Sequence, residues 1–195
     1  RETITLLEIF LIGIGLSMDA FAVAICKGLA MPDRVHKKSA VLIALYFGVF
    51  QAAMPALGWL LGSQFARYVT RFAPWIAFAL LSWIGGSMIR ESRAPEGEEQ
   101  QPSDGQVRHR ELFVLAIATS IDALAVGVTF SMVELSVSVW LAVTLIGCTT
   151  FLISLCGVFV GSVFGARYKN KAEFVGGVIL LLIGVKLLLE HLGVL

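Results

Sequence analysis

Six stretches of the chain are apolar on every face of a helix rather than along one stripe: Thr3 to Leu29, Ala40 to Ala66, Pro74 to Ile89, Leu112 to Met132, Val137 to Gly165 and Phe174 to Leu192. A helix needs about 20 such residues to cross a hydrocarbon core, so the pattern predicts six transmembrane helices. The third is the shortest, and its start is the least defined. A membrane β-barrel would instead alternate polar and apolar residues with a period of two, and these stretches do not. Helices also satisfy their own backbone hydrogen bonds, which lipid cannot do. Composition agrees: 195 residues, 57% hydrophobic and 15% charged, with a mean hydropathy of +0.85, carry more apolar side chain than a soluble core of this size hides. The expected class is an all-α integral membrane protein.

Basic residues orient the helices. The odd loops hold Lys27, Arg34, Lys37, Lys38, Arg90, Arg93, Arg108, Arg110, Arg167, Lys169 and Lys171, whereas the opposite side has Arg1, Arg67, Arg71 and Lys186. The positive-inside rule then puts the odd loops in the cytoplasm and both termini outside. Arg67 and Arg71 in the second loop run against this trend. The first apolar run lacks a small-residue cleavage site, so it reads as a span rather than a removable signal. Cys26, Cys148 and Cys156 are odd in number and lie in or beside apolar segments, where they fit as small packing residues and not as a disulfide framework. A net charge of +1 argues against nucleic acid as a partner. The one polar stretch, 92–110, is rich in Pro, Gly and Glu and reads as a disordered cytoplasmic tether between units 1–91 and 111–195.

Those two units repeat each other. Ser17-Met18-Asp19-Ala20-Phe21-Ala22-Val23 matches Ser120-Ile121-Asp122-Ala123-Leu124-Ala125-Val126. Further on, Gly58, Gly62 and Ser63 correspond to Gly157, Gly161 and Ser162, Ala66-Arg67-Tyr68 to Ala166-Arg167-Tyr168, and Ile84-Gly85 to Ile183-Gly184. A unit with three spans must reinsert upside down, which predicts two inverted three-helix repeats, an arrangement typical of secondary transporters.

Of fourteen acidic residues, only Asp19 and Asp122 fall near the middle of apolar spans, and they are repeat mates. A carboxylate there costs at least about 2.5 to 3.5 kcal/mol, so it needs a compensating partner. No basic residue lies at that depth: Lys27 is placed to snorkel to the cytoplasmic surface, and Lys186 to pair with Glu190 one turn on. The expected partner is a cation. Gln51, its repeat mate Thr150, and Thr149 offer further oxygens, and Pro55 cannot donate to the Gln51 carbonyl. Ser17 and Ser120 add hydroxyls only if the helices unwind, since two residues turn them about 200° from the aspartates. Gly13, Gly15 and Gly127 either permit such unwinding or serve close helix packing. An oxygen-rich set suits Mn(II), Mg(II) or Ca(II). Met18 and Met88 either add a thioether or simply pack, and His36, His109 and His191 are expected in water.

These motifs, with Phe47-Gly48 to Gln51 to Pro55 to Gly58-Trp59, Trp75-Ile76-Ala77-Phe78 to Gly85-Gly86-x-Met88-Ile89, and Gly176-Gly177 to Ile183-Gly184, resemble the MntP-type manganese efflux pump family within the LysE-type exporter group. The resemblance covers nearly the whole chain. It implies Mn(II) as transported substrate rather than cofactor, export across a bacterial inner membrane, and Asp19 and Asp122 as the essential acids. Export of a divalent ion against an inside-negative potential costs about 4.6 kcal/mol per 100 mV. No nucleotide-binding motif or enzymatic constellation is present, so the expected coupling ion is the proton, exchanged for metal at the two carboxylates. A LysE-like exporter of a small organic solute and a divalent-cation channel are the alternatives.

Overall fold

The computed structural model describes residues 3–29, 31, 37–93, 109–165 and 169–193. These residues form six helices and one short strand pair: β1 (Thr3–Ile4), α1 (Leu6–Leu29), α2 (Lys37–Leu61), α3 (Ser63–Ser92), α4 (His109–Phe130), β2 (Glu134–Leu135), α5 (Val139–Gly165) and α6 (Lys169–His191). The start of α1 is a reciprocal cap: Thr5 N–H donates to Glu8 Oε2 at 2.7 Å, and Glu8 N–H donates to Thr5 Oγ1 at 3.3 Å. β1 and β2 pair in parallel, and Ser136 N–H donates to Ile4 O at 2.9 Å, tying the start of α1 to the α4–α5 connection.

The second and third spans differ from the pattern-based expectation. α2 stops at Leu61 because Gly62 adopts φ +65°, a left-handed conformation that glycine enters without a Cβ penalty, and its N–H caps Gly58 O at 3.0 Å. α3 then begins at Ser63, not near Pro74, so Ala66, Arg67 and Arg71 belong to a 30-residue helix and not to a span end and loop. Proline at 74 does not mark the start because the helix already runs through it. Of the predicted tether, residues 94–108 lie outside the described residues, while Ser92 closes α3 and His109 and Arg110 open α4. Four helices, α1, α2, α4 and α5, are long and apolar enough to cross a membrane, and α6 carries a shorter apolar stretch, Phe174–Lys186. Trp83 is 77% exposed, Val163 72% and Leu7 66%, a surface that lipid stabilises and water would not.

Helix directions follow from which residues meet. α1 and α5 run parallel, with Gly13 against Ile146, Ser17 against Thr150 and Ile25 against Gly161. α2 and α4 also run parallel, with Tyr46 on His109, Phe50 on Phe113 and Gly58 on Leu124. α2 and α5 oppose each other through Gly48 on Phe151 and Ala52 on Gly147, and α3 opposes α6 through Ile89 on Gly177 and Leu81 on Gly184. Since α1 follows α5, α5 opposes α2 and α2 follows α4, α4 runs opposite to α1. Close approach depends on missing side chains. A Cβ on Gly147 would lie 2.7 Å from Ala52 Cβ, and one on Gly85 or Gly177 would lie 2.6 Å from the carbonyl of the other.

Lys27 does not snorkel freely: its ammonium pairs with Glu111 at the opening of α4, with the two side chains 14% and 29% exposed. Partial burial sets the worth of this pair between that of an exposed bridge and a buried one. Glu111→Gln is expected to lower stability by about 1 to 3 kcal/mol, and the exchange Lys27→Glu with Glu111→Lys to recover most of it. Thermal unfolding of the detergent-solubilised protein measures this, and full stability of the single variant would refute it.

Candidate functional site

The buried apolar residues form two groups. One contains Ile9, Leu16, Ala123, Phe130, Ala142 and Ile146; the other contains Val23, Ala24, Ile43, Phe47, Leu115, Ala116 and Val158 among its members. Along each of α1, α2, α4 and α5 the polar residues fall between the two. Ser17, Gln51, Ser120, Thr150 and Ser154 are fully buried there, with Thr119 and Thr149 nearly so. Asp19 and Asp122 stand in the same layer, half-buried, and close enough for their charges to act on each other. An ionised pair inside such a layer is stable only with a counter-charge nearby.

The layer is tied together in an uneven way. Ser17 Oγ donates to Gly13 O at 2.5 Å and lies 2.8 Å from Thr150 Oγ1, across the α1–α5 contact. Thr150 and Thr149 themselves donate to Ile146 O at 3.0 Å and Leu145 O at 2.8 Å. Gln51 Nε2 donates to Leu16 O at 3.1 Å, but its Oε1 has no hydrogen-bond partner, nor do Ser120 Oγ and Ser154 Oγ. Asp122 Oδ1 accepts a hydrogen bond from the Ala123 N–H at 2.8 Å. A buried oxygen left without a partner costs about 1 to 3 kcal/mol, so the three unclaimed oxygens are a penalty that the layer carries until a donor or a cation meets them.

Several sequence expectations change here. α1 and α4 are continuous helices, so Ser17 and Ser120 are not swung toward the aspartates by unwinding; Gly13 and Gly127 serve packing, against Ile146 and Pro55, and Gly15 faces open space. Met18 is exposed and is turned away from the layer. His36 and the side chains of Met88, Glu190 and His191 lie outside the described residues. His109 is held by Tyr46, with Oη and Nδ1 3.0 Å apart, instead of standing free in a loop. The three cysteines are free thiols, Cys26 buried and Cys148 and Cys156 exposed. No group of three or more His, Cys, Asp or Glu side chains gathers as a metal cluster among the described residues. Ser154 was not visible as a candidate; only its helical spacing of four from Thr150 hinted at the layer.

The fold and this interior define a multi-pass helical membrane protein with a polar centre. Residues 34–188 match the family described as "Putative manganese efflux pump" (Mntp), and the chain belongs to that family. Relatives carrying that description with the designation MntP occur in Desulfitobacterium hafniense, 54% identical over 96% of both chains, and in Acetivibrio thermocellus, 52% identical over 96% of this chain and 92% of the relative. A third, in Methanothermobacter thermautotrophicus, is 49% identical over 96% of this chain and 98% of its own. The family's description is that of a transporter and not of an enzyme. No solved structure matches the chain.

Proposed function

We propose that this protein exports Mn(II) from the bacterial cytoplasm across the inner membrane, exchanging it for protons at a site built on Asp19 and Asp122. The observation that carries this reading is the pair of half-buried, repeat-mated carboxylates in a polar layer between two apolar cores, within a chain whose relatives are named for manganese efflux. Gln51, Thr149 and Thr150 supply neutral oxygens, with Gln51 Oε1 unclaimed, whereas Ser17 and Ser120 join them only if α1 and α4 unwind beside the aspartates during transport, a change that would also part the Ser17–Thr150 hydroxyl contact. Such a hard, oxygen-only set suits Mn(II) and excludes no hydrated competitor of similar charge, so selectivity is a matter of cavity size.

The two units, 1–91 and 111–195, act as inverted halves. The opposite course of α1 and α4, and the way α1–α5 packing is reproduced by α4–α2 packing, support a pseudo-twofold axis in the membrane plane, about which the halves rock to expose the site to each side in turn. α3 and α6 complete six spans, with both termini outside. At the site, two negative charges are tolerated together either with two protons or with one divalent ion, so metal arriving from the cytoplasm displaces protons, and protons arriving from outside displace metal. A freely conducting channel would import Mn(II) under an inside-negative potential, since outward movement costs about 4.6 kcal/mol per 100 mV.

Purified protein in vesicles containing a manganese-quenched dye tests the coupling. Mn(II) flux is expected to follow an imposed pH gradient in the opposite direction, with proton release measurable on metal addition. Flux indifferent to the gradient and without proton movement would reject exchange in favour of a channel.

A further inference from the structure

Mid-helix hydroxyls in the polar layer mostly return their proton to the carbonyl one turn back: Ser17 to Gly13, Thr119 to Leu115, Thr149 to Leu145 and Thr150 to Ile146. Ser154, in the middle of α5 and fully buried, does not; its Oγ has no partner at all. Packing alone gives no reason to keep that oxygen, because alanine fills nearly the same volume without the penalty of an unpaired hydroxyl. Its position is specific. At about 100° per residue, Ser154 lies about 40° around α5 from Thr150, which meets Ser17 of α1, and about 20° from Gly147, which meets Ala52 of α2. It therefore faces the seam where α1, α2 and α5 come together. One turn further along α5, Gly157 packs on Phe21 and Ala24, so Ser154 stands level with the Asp19 turn of α1, on the side of that helix that carries Ser17 and Phe21.

The internal repeat adds a second argument. The correspondence that pairs Gln51 with Thr150 and Gly58 with Gly157 pairs Pro55 with Ser154. Pro55 has no N–H, so the Gln51 carbonyl lacks its usual helical donor. At mated positions, each half thus presents an oxygen that its own helix does not claim: a backbone carbonyl in α2 and a side-chain hydroxyl in α5. We infer that Ser154 supplies a further oxygen ligand to the transported divalent cation, on the α1–α5 side of the polar layer toward the core formed by Val23, Ala24 and Val158. This rests on the transport reading above and extends its ligand set by a residue on the route between the aspartate pair and that end of the bundle.

Two variants test it, with Mn(II) as the probe and binding to the purified protein followed by loss of the free-ion paramagnetic resonance signal. Ser154→Ala is expected to raise the Kd for Mn(II) about tenfold, the lower end of the loss seen when a group supporting a metal is removed, without a fall in melting temperature. Ser154→Cys substitutes a soft sulfur and is expected to gain a Cd(II)–thiolate ultraviolet band above that of the wild type, whose three cysteines provide the baseline. Wild-type affinity in Ser154→Ala, or no added band in Ser154→Cys, overturns the assignment of Ser154 while leaving the aspartate site standing. Efflux that survives loss of either aspartate charge would instead remove the site itself.

Discussion

Asp122→Asn and Asp19→Asn are each expected to abolish manganese efflux while the protein still accumulates in the membrane at the wild-type level. Asparagine keeps the size of the side chain, and an uncharged amide is easier to bury than a carboxylate, so insertion and packing do not suffer. What is lost is half of the negative charge facing a divalent ion. A pair of unit charges 4 Å apart contributes about 4 kcal/mol at an effective dielectric of 20, so even half of that value weakens metal binding about thirtyfold for each unit of cation charge. The exchangeable proton goes with it, so the variant cannot couple even at saturating metal. Cells lacking their own exporter, carrying wild type or either variant, reveal the effect as manganese sensitivity and retained cellular manganese. Equal protection by wild type and both variants would leave the proposed site without a role.

The second large effect concerns assembly. Gly127→Val is expected to prevent formation of a stable bundle, because a Cβ at this position would overlap the Pro55 carbonyl and lie 2.5 Å from Pro55 Cα. The obstacle is backbone on a neighbouring helix, which has no rotamer to change, so α2 and α4 must separate. Overpacking that side chains absorb costs about 1 to 3 kcal/mol, and displacement of a helix pair exceeds this. The separation also disturbs the polar layer, since Gln51 lies on α2 and Ser120 and Asp122 on α4. Gly15→Ala is the matched control: nothing lies within 4 Å of its Cβ, and alanine favours the helix by up to about 1 kcal/mol. Size-exclusion profiles and melting temperatures in detergent separate the two; a monodisperse Gly127→Val protein with wild-type stability would contradict the packing described.

Local patterns made most of the elements legible. Continuous apolar runs marked α1, α2, α4 and α5 because the cost of burying polar groups in lipid acts on each segment independently of its neighbours, and the recurrence of Ser-x-Asp-Ala-x-Ala-Val marked the two aspartates as mates before any fold was known. The boundary between α2 and α3 was missed for the opposite reason: Arg67 and Arg71 looked like a loop by charge, whereas a single left-handed glycine, Gly62, makes the turn and the arginines continue as helix. Tertiary structure alone decided which polar atoms are engaged. Whether a hydroxyl bonds the carbonyl one turn back, as Thr149 does, meets a hydroxyl across an interface, as Ser17 meets Thr150, or stays unclaimed, as Ser120 and Ser154 do, depends on how the helices are rotated and how closely they approach. Those quantities are set by contacts such as Gly127 on Pro55 and Gly161 on Ile25, between residues far apart in the chain, and no local pattern encodes them.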